Sequence, residues 1–343
     1  MKFTPGKHKI GIGGLVLIIA AMLAVTPQAL AFRFVVLADS PDNQTNQAGF
    51  NQNALEYLRD RILNLNPKPD MVFFLGDLVT KAHNLAGDRF LPQWQVVMSP
   101  LAQANIKVFV AVGNRDLYGA AGQTEKSLET EFQTYFSGPP FDMPANGPPS
   151  YKYLAYSISH ENALFVVLDT FGFYRDGDNP DGSPKWVNWD NGLDAEQLGW
   201  FASQAGQATE KYKFVLSHGP AFSPEGWTVD PSVQQNLWDI MQDNHFDAYF
   251  CGHEHIYSRW KIDEALTPQP TPQITQIITG SAGALPDQIF KVKENRKKVH
   301  AASLYNYVVG DINGRSAHFK TYGIDLNAGK YSAKVIDRFT LAK

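Results

Sequence analysis

The sequence of 343 residues contains only one cysteine, Cys251. A single thiol excludes an internal disulfide, so no covalent cross-link of this kind holds the fold together. Stability therefore has to come from a buried core, which a chain of this length with 44% hydrophobic residues can supply. The same composition excludes a largely disordered chain.

The sequence also lacks an excess of positive charge. Its formal net charge is −4 at pH 7, and residues 1–31 contain three lysines and no acid, so the rest of the chain carries −7. This balance argues against nucleic acid or an anionic membrane surface as the main partner. The one basic run, residues 291–298 (KVKENRKK), is more typical of a solvated face or loop than of a binding patch.

Long apolar runs are missing apart from one that extends from Ile10 to Val25, behind Lys2, Lys7 and Lys9. The small-x-small triplet Ala29-Leu30-Ala31 follows, and the whole pattern is typical of a secretory signal peptide. The alternative is an uncleaved anchor, but the run is shorter than the ~20 residues that span a bilayer. We therefore predict a signal peptide at 1–31, cleavage near Ala31, a periplasmic or secreted protein, and no stable membrane span after cleavage.

From Phe32 onward, strand-like and helix-like segments alternate. Apolar runs at 34–38, 71–75 and 107–112 predict buried strands, and helical spacing predicts helices at 51–65 and 90–104. This rhythm indicates a layered α/β sheet with parallel strands, in which ligands bind at the carboxyl ends of the strands. We expect the polar residues that end these strands to meet at one edge of one sheet.

The rest of the chain continues the pattern and contains no fixed repeat or domain linker. Helices are predicted at 123–136, 193–208 and 236–244, a hairpin at 151–169, and strands at 213–216 and 249–251. Residues 171–192 are predicted to form a long loop whose aromatic residues could stack on a substrate or simply pack the loop down. Four segments of the tail, between 274 and 340, predict antiparallel strands that close a second sheet. One domain, 32–343, is the simplest architecture. The aromatic residues of the loop are Phe171, Phe173, Tyr174, Trp186 and Trp189.

Five of the predicted strands end in a carboxylate, a carboxamide or an imidazole. Each one alone is more often a cap or a turn residue. As a set, Asp, Asn and His suit intermediate divalent ions such as Mn, Fe or Zn, and two such ions can clamp a displacement at phosphorus. Asp77 is the central candidate to bridge them. The candidate metal ligands are Asp39, Asp77, Asn114, His218, His253 and His255.

These residues carry a family resemblance. The order D-S-P, G-D-L, G-N-R-D, S-H-G-P and G-H-E-H, over residues 39–255, resembles the calcineurin-like metallophosphoesterases, whose pattern is D-x-H, G-D, G-N-H-D/E, a lone His and G-H-x-H. The stretch GHEHIYSR, residues 252–259, resembles the last motif of purple acid phosphatases and their bacterial relatives. The resemblance implies a four-layer α/β/β/α sandwich, in which helices flank two mixed β-sheets.

The resemblance also implies two ligand sets, one of which is incomplete here. Asp77, Asn114, His218 and His253 would hold one metal, and Asp39, Asp77 and His255 the other. The fourth ligand of the second set is the histidine of D-x-H in most members, or a tyrosine in purple acid phosphatases. Here those positions are Pro41 and Thr80. We use the name first metal position for the site that Asp39, Asp77 and His255 would form. We expect it to bind metal more weakly, unless Asp42, Asn43 or a water completes it.

A second departure from the family pattern is Arg115, which replaces the histidine that follows Gly-Asn. Arginine stays protonated and cannot act as a general acid, but its two donors can clamp phosphate oxygens. The alternative is that Arg115 merely pairs with Asp116 or Asp39. Arg115 and Asp116 are the candidate catalytic residues, with Asp116 expected to orient its neighbour.

The resulting hypothesis is a metal-dependent phosphoesterase. A hydroxide held between two divalent metal ions would attack the phosphorus of a phosphate mono- or diester on a phosphorylated small molecule. The alternative is a catalytically degenerate relative that binds a phosphorylated ligand or a partner without turnover, since both Pro41 and Arg115 lie close to the chemistry. The sequence leaves the substrate, the metal and the oligomeric state open.

Overall fold

A computed structural model describes residues 1–2, 31–42, 49–82, 89–118, 125–178, 180–182, 184–188, 190–226, 228–262, 273–288, 297–327 and 329–343. The predicted signal peptide lies almost entirely outside these residues, as do Asn43, Trp189 and the basic run up to Arg296. Within the described part of the chain, no helix is long and apolar enough to cross a membrane.

The secondary structure follows the apolar patterns of the sequence closely. The strands are β1 Ala31–Leu37, β2 Met71–Leu75, β3 Lys107–Ala111, β4 Ser137–Gly138, β5 Phe141–Asp142, β6 Tyr156–His160, β7 Ala163–Val167, β8 Phe173–Asp178, β9 Pro184–Asn188, β10 Tyr212–Leu216, β11 Ala248–Cys251, β12 Tyr257–Ile262, β13 Ile274–Thr279, β14 Lys297–Ala302, β15 Tyr305–Asn313, β16 Ser316–Asn327 and β17 Lys330–Ala342. The helices are α1 Gln52–Leu63, α2 Phe90–Gln103, α3 Glu125–Phe136, α4 Ala195–Gln207 and α5 Trp238–Asp243.

Two mixed sheets form the centre of the molecule. The first sheet has the strand order β17-β16-β15-β1-β2-β3, in which β1, β2 and β3 are parallel and β15 to β17 run antiparallel. The second has the order β14-β12-β13-β11-β10-β7-β6, in which β7, β10, β11 and β13 are parallel.

The sheets pack face to face through aromatic side chains, because successive residues of a strand point to opposite faces. On β7, Phe165 meets Phe34 of β1 at 5.0 Å and Phe73 of β2 at 4.9 Å between ring centroids. The next residue, Val166, lies in a second hydrophobic core on the opposite face of this sheet, together with Phe201 of α4 and Trp238 of α5. Helices α1, α2 and α3 pack on the first sheet. The layers are therefore α/β/β/α, as predicted.

Three details of the predicted organisation are wrong. The strand tips that carry polar residues come from two sheets, because the β6–β7 hairpin starts a second sheet that β10 and β11 then extend. The tail does not close one sheet: β13 joins the second sheet parallel to β11, whereas β15 to β17 extend the first. Residues 171–192 are not a plain loop, since β8 and β9 pair antiparallel within them.

Candidate metal centre

The centre lies where the carboxyl ends of β1, β2 and β3 in one sheet face those of β10 and β11 in the other. Asp39, Asp77 and His253 all have left-handed backbone conformations, with φ of 61°, 49° and 70°. Residues other than glycine seldom adopt such angles, and those that do cluster at functional sites. The backbone at these three positions is therefore held in a costly conformation by its surroundings.

Close contact between the tips requires glycine at two positions. A Cβ at position 113 would overlap the backbone nitrogen and Oδ1 of Asp77, and a Cβ at position 252 would overlap Oδ2 of Asp39. Glycine lets two chains approach where any side chain would separate them. The glycines of the G-N and G-H motifs thus bring Asn114 and His253 within reach of the carboxylates.

One group of donor atoms gathers around Asn114. Its Oδ1 lies 3.1 Å from His218 Nε2 and 3.1 Å from His253 Nδ1. His218 Nε2 is also 3.3 Å from Asp77 Oδ1. These four side chains form the ligand set that the family pattern predicts to be complete, and the structure brings all of them together.

The two histidines of this group are neutral. Burial lowers the pKa of His218 to about 3. The pKa of His253 is also lowered to about 3, mainly by burial and secondly by the neighbouring His218. His218 Nδ1 lies 2.8 Å from the carbonyl oxygen of Leu75, which can only accept, so Nδ1 carries the hydrogen. The lone pair of His218 Nε2 is left facing Asp77 and Asn114.

The second group of donor atoms includes a buried oxygen without a partner. Asp39 is fully buried, and its Oδ2 accepts a hydrogen bond of 2.9 Å from the backbone nitrogen of His253. Its Oδ1 has no hydrogen-bond partner among the described residues and lies 3.7 Å from His255 Nε2. Burial raises the pKa of Asp39 well above its usual value, and the nearby charge of Asp77 raises it further.

The donor set fits a metal ion. One ligand atom each from Asp39, Asp77 and His218 lies within 4.8 Å of the others, and all three residues are buried. An unpaired carboxylate oxygen and an inward-facing imidazole lone pair are costly in a dry interior unless a cation joins them. Mixed oxygen and nitrogen ligands of this kind suit intermediate divalent metals. A candidate metal-binding group is therefore present.

Arg115 and Asp116 take different positions. The Arg115 backbone nitrogen donates to Asp77 Oδ1 at 2.8 Å, and its Nε lies 3.3 Å from Asp77 Oδ2. The guanidinium thus pairs with Asp77, rather than with Asp116 or Asp39, and a third of the side chain is exposed at the cleft. Asp116 is fully buried and accepts from the backbone nitrogens of Leu78, Val79 and Gly113.

Among the described residues, the two positions at which the family has a further ligand are occupied by Pro41 and Thr80. Pro41 is buried, and Thr80 Oγ1 lies 3.4 Å from the backbone carbonyl of Asp42. The adjacent Ser40 donates to the carbonyl of Leu78 at 2.6 Å and accepts from Trp94 Nε1 at 3.1 Å. This segment is therefore anchored in the core through Ser40.

A cleft of about 720 Å³ opens over the metal ligands. Sequence reasoning missed five residues that line it, Tyr118, Asp190, Glu225, Asp287 and Gln288, because no motif marks them. Phe171 is buried and lies 5.3 Å from the ring of His218 and 5.4 Å from that of His253. It packs against the histidines instead of projecting toward a ligand. The described lining residues are Asp77, Asn114, Arg115, Tyr118, Asp190, Glu225, His253, His255, Asp287 and Gln288.

Comparison with known proteins supports a specific family. The model of the family described as calcineurin-like phosphoesterase matches residues 32–257. The chain is similar to tartrate-resistant acid phosphatase type 5 of Rattus norvegicus, at 27% identity over 251 residues, 71% of this chain and 72% of the relative.

Two solved structures share the fold. A purple acid phosphatase from yellow lupin (Lupinus luteus) seeds has a TM-score of 0.67 at 15% identity, over 92% of this chain and 54% of its own. GAP50, described as the anchor in the inner membrane complex of Plasmodium, has a TM-score of 0.58 at 16% identity, over 91% and 89%. The chain thus spans about half the length of the lupin protein, and at these identities the likeness concerns the fold alone.

Proposed function

Because the chain belongs to the calcineurin-like phosphoesterase family, we propose that it hydrolyses phosphate mono- or diesters with two divalent metal ions held between its two sheets. The family and the acid phosphatase relatives support a hydrolase acting on phosphoric ester bonds. The observation that carries the metal requirement is the buried, unpartnered Oδ1 of Asp39, which lies beside Asp77 and His218.

The six predicted ligands divide into two sets that share Asp77. Asp77, Asn114, His218 and His253 would hold one ion, since their donor atoms lie 3.1–3.3 Å apart. Asp39, Asp77 and His255 would hold the other at the first metal position. When bound, the ions lower the pKa of water and withdraw charge from the phosphoryl oxygens. We propose Mn, Fe or Zn, the divalent metals that this mixture of ligands suits.

The protein's own contribution at the cleft is to bind and orient the phosphoryl group. Arg115 lies at the cleft wall with its backbone fixed by Asp77, and its partly exposed guanidinium can donate to phosphoryl oxygens. The described cleft residues include four carboxylates and one guanidinium. This balance disfavours polyanions and supports a phosphorylated small molecule as substrate rather than nucleic acid.

The test is hydrolysis of a chromogenic phosphate monoester and diester by the purified protein with added Mn²⁺ or Zn²⁺. Asp77→Ala and His218→Ala should each reduce the rate at least 100-fold, because each removes a ligand of the cation. Asp190→Asn serves as the control, since it removes a carboxylate from the same cleft at a residue outside both predicted ligand sets. Asp77→Ala or His218→Ala variants as active as the parent would exclude the assignment.

A second candidate function is binding without turnover. Pro41 and Thr80 leave the first metal position one ligand short, and Arg115 cannot donate a proton as a histidine does. GAP50 shares the fold and is described as an anchor, which makes a non-catalytic role a reasonable alternative. The number of bound metals separates the two: one ion or none per chain, with no hydrolysis under any metal, favours the binding protein.

We also propose that the protein is exported and that residues 1–31 are removed. Mass spectrometry of the protein recovered from the periplasm or the medium tests this directly. A product that begins at Phe32 supports the proposal, and an intact N-terminus in the membrane fraction supports the alternative of an uncleaved anchor.

A further inference from the structure

The segment that follows β13, residues 280–288, contacts both ligands that belong to the first metal position alone. Its Ala284 nitrogen donates to the carbonyl of Asp39 at 3.1 Å, and its Asp287 nitrogen donates to the carbonyl of His255 at 2.9 Å. Ala282 donates in addition to Ala38 at 2.8 Å. One short stretch of chain therefore fixes the backbones of Asp39 and His255, which come from different sheets.

The carboxylate of Asp287 contacts His255 a second time. Its Oδ2 accepts from the His255 backbone nitrogen at 3.2 Å and lies 3.6 Å from His255 Nδ1. The opposite nitrogen of the ring, Nε2, lies 3.7 Å from the unpartnered Oδ1 of Asp39. The imidazole is thus placed between two carboxylates, one on each side.

This arrangement selects one tautomer of His255. The Asp287 carboxylate, which lies on the Nδ1 side of the ring, can only accept a hydrogen. A neutral imidazole has a single hydrogen on one of its two nitrogens. With that hydrogen on Nδ1, the lone pair of Nε2 is directed at Asp39.

We propose that Asp287 is a positioning residue, which fixes the orientation and tautomer of His255 and thereby sets the metal affinity of the first metal position. The inference rests on the metal centre proposed above. It has particular weight in this chain because Pro41 and Thr80 supply no further ligand there. With few protein ligands, affinity depends strongly on how well each one is oriented, and loss of such an outer partner typically costs about 10–100-fold in affinity.

The experiment is a Zn²⁺ titration of the purified protein in competition with a chromogenic chelator, which follows binding and not turnover. We expect two binding steps in the parent protein. Asp287→Ala should weaken one step by about 10–100-fold and leave the other within about twofold. Asp287→Asn keeps an oxygen for the His255 backbone nitrogen but loses the charge, so we expect a smaller effect. The Asp287 side chain is 45% exposed, so we expect the variants to fold, and thermal melts check this.

Asp190→Ala is the matched control, because it removes the same charge from the same cleft at a residue outside both predicted ligand sets. Two steps unchanged by Asp287→Ala would refute the positioning role while leaving the proposed function intact. An equal loss in Asp190→Ala would show a general charge effect and would refute it as well. A parent protein that binds no Zn²⁺ would refute the metal centre and this role with it.

Discussion

Asp116 offers a sharp test of how the ligand-bearing loops are held. This fully buried carboxylate accepts hydrogen bonds from the backbone nitrogens of Leu78 at 2.9 Å, Val79 at 3.2 Å and Gly113 at 2.9 Å. Leu78 directly follows the predicted ligand Asp77, and Gly113 directly precedes the predicted ligand Asn114. Asp116 therefore joins the loop after β2 to the loop after β3. Replacement by alanine removes this link and leaves the hydrogen bond from the Arg115 nitrogen to Asp77 Oδ1 as a connection between the two loops.

The expected cost follows from the three backbone donors that lose their acceptor. Each buried, unsatisfied N–H costs about 1–3 kcal/mol. The gain from no longer burying a carboxylate, whose pKa burial raises well above its usual value, offsets part of this. We expect Asp116→Ala to lower the free energy of unfolding by about 3–5 kcal/mol, a large share of the 5–15 kcal/mol typical of a domain. Asp116→Asn keeps one oxygen, so we expect a loss of about 1–3 kcal/mol.

Urea denaturation followed by fluorescence measures these differences, with Asp190→Asn as an exposed control expected to change stability by less than about 0.5 kcal/mol. Metal affinity should fall together with stability, because the ligands on both loops lose their anchor. The reasoning is refuted if Asp116→Ala unfolds within about 1 kcal/mol of the parent yet loses hydrolysis. That result would assign Asp116 a direct role on substrate instead of a positioning role.

Two further predictions concern Arg115 and the junction between the sheets. Arg115→Ala should lower kcat about 100-fold, because it removes hydrogen-bond donors to the phosphoryl group. Arg115→His should make the rate change with pH near the ordinary histidine pKa of about 6.5. Rates that do not depend on residue 115 would contradict this role. Burial alone raises the pKa of Asp337, but hydrogen bonds from Arg259 and Tyr257 outweigh it and hold the pKa below its usual value. The resulting stability is present above about pH 4 and is lost as the pH falls through the folded-state pKa. Asp337→Asn should therefore cost about 3–5 kcal/mol at pH 7 and about 1 kcal/mol less at pH 3, because an unfolded-state carboxyl titrates at about pH 3.9. Urea denaturation at both pH values measures the two costs, and equal costs would refute the ion pair as the cause.

The residues that local pattern could identify are those at strand ends. Asp39, Asp77, Asn114 and His218 each follow a short apolar run that forms a buried strand, and the structure brings them together. Short continuous apolar runs also predicted several of the strands, because one face of β7, β10 and β11 packs on the first sheet and the other on helices, so that both faces are buried. The family pattern then supplied the order of the ligands.

Other features depend on contacts that no local pattern contains. Asp287 meets His255 from 32 residues away, and Asp337 of β17 meets Arg259 of β12 from 78 residues away, across the two sheets. The Tyr257 and Arg259 of GHEHIYSR thereby serve to join the sheets. The division of the strands between two sheets also escaped prediction, since a strand–helix rhythm does not show where a second sheet begins.

The metal content of the purified protein, determined by mass spectrometry after equilibration with Zn²⁺ or Mn²⁺ and removal of the excess, tests the central claim most directly. The parent protein should contain two ions per chain, and Asp77→Asn should lose both, because Asp77 is shared between the two positions. One ion or none in the parent, or two ions retained in Asp77→Asn, would contradict a two-metal centre built on these residues.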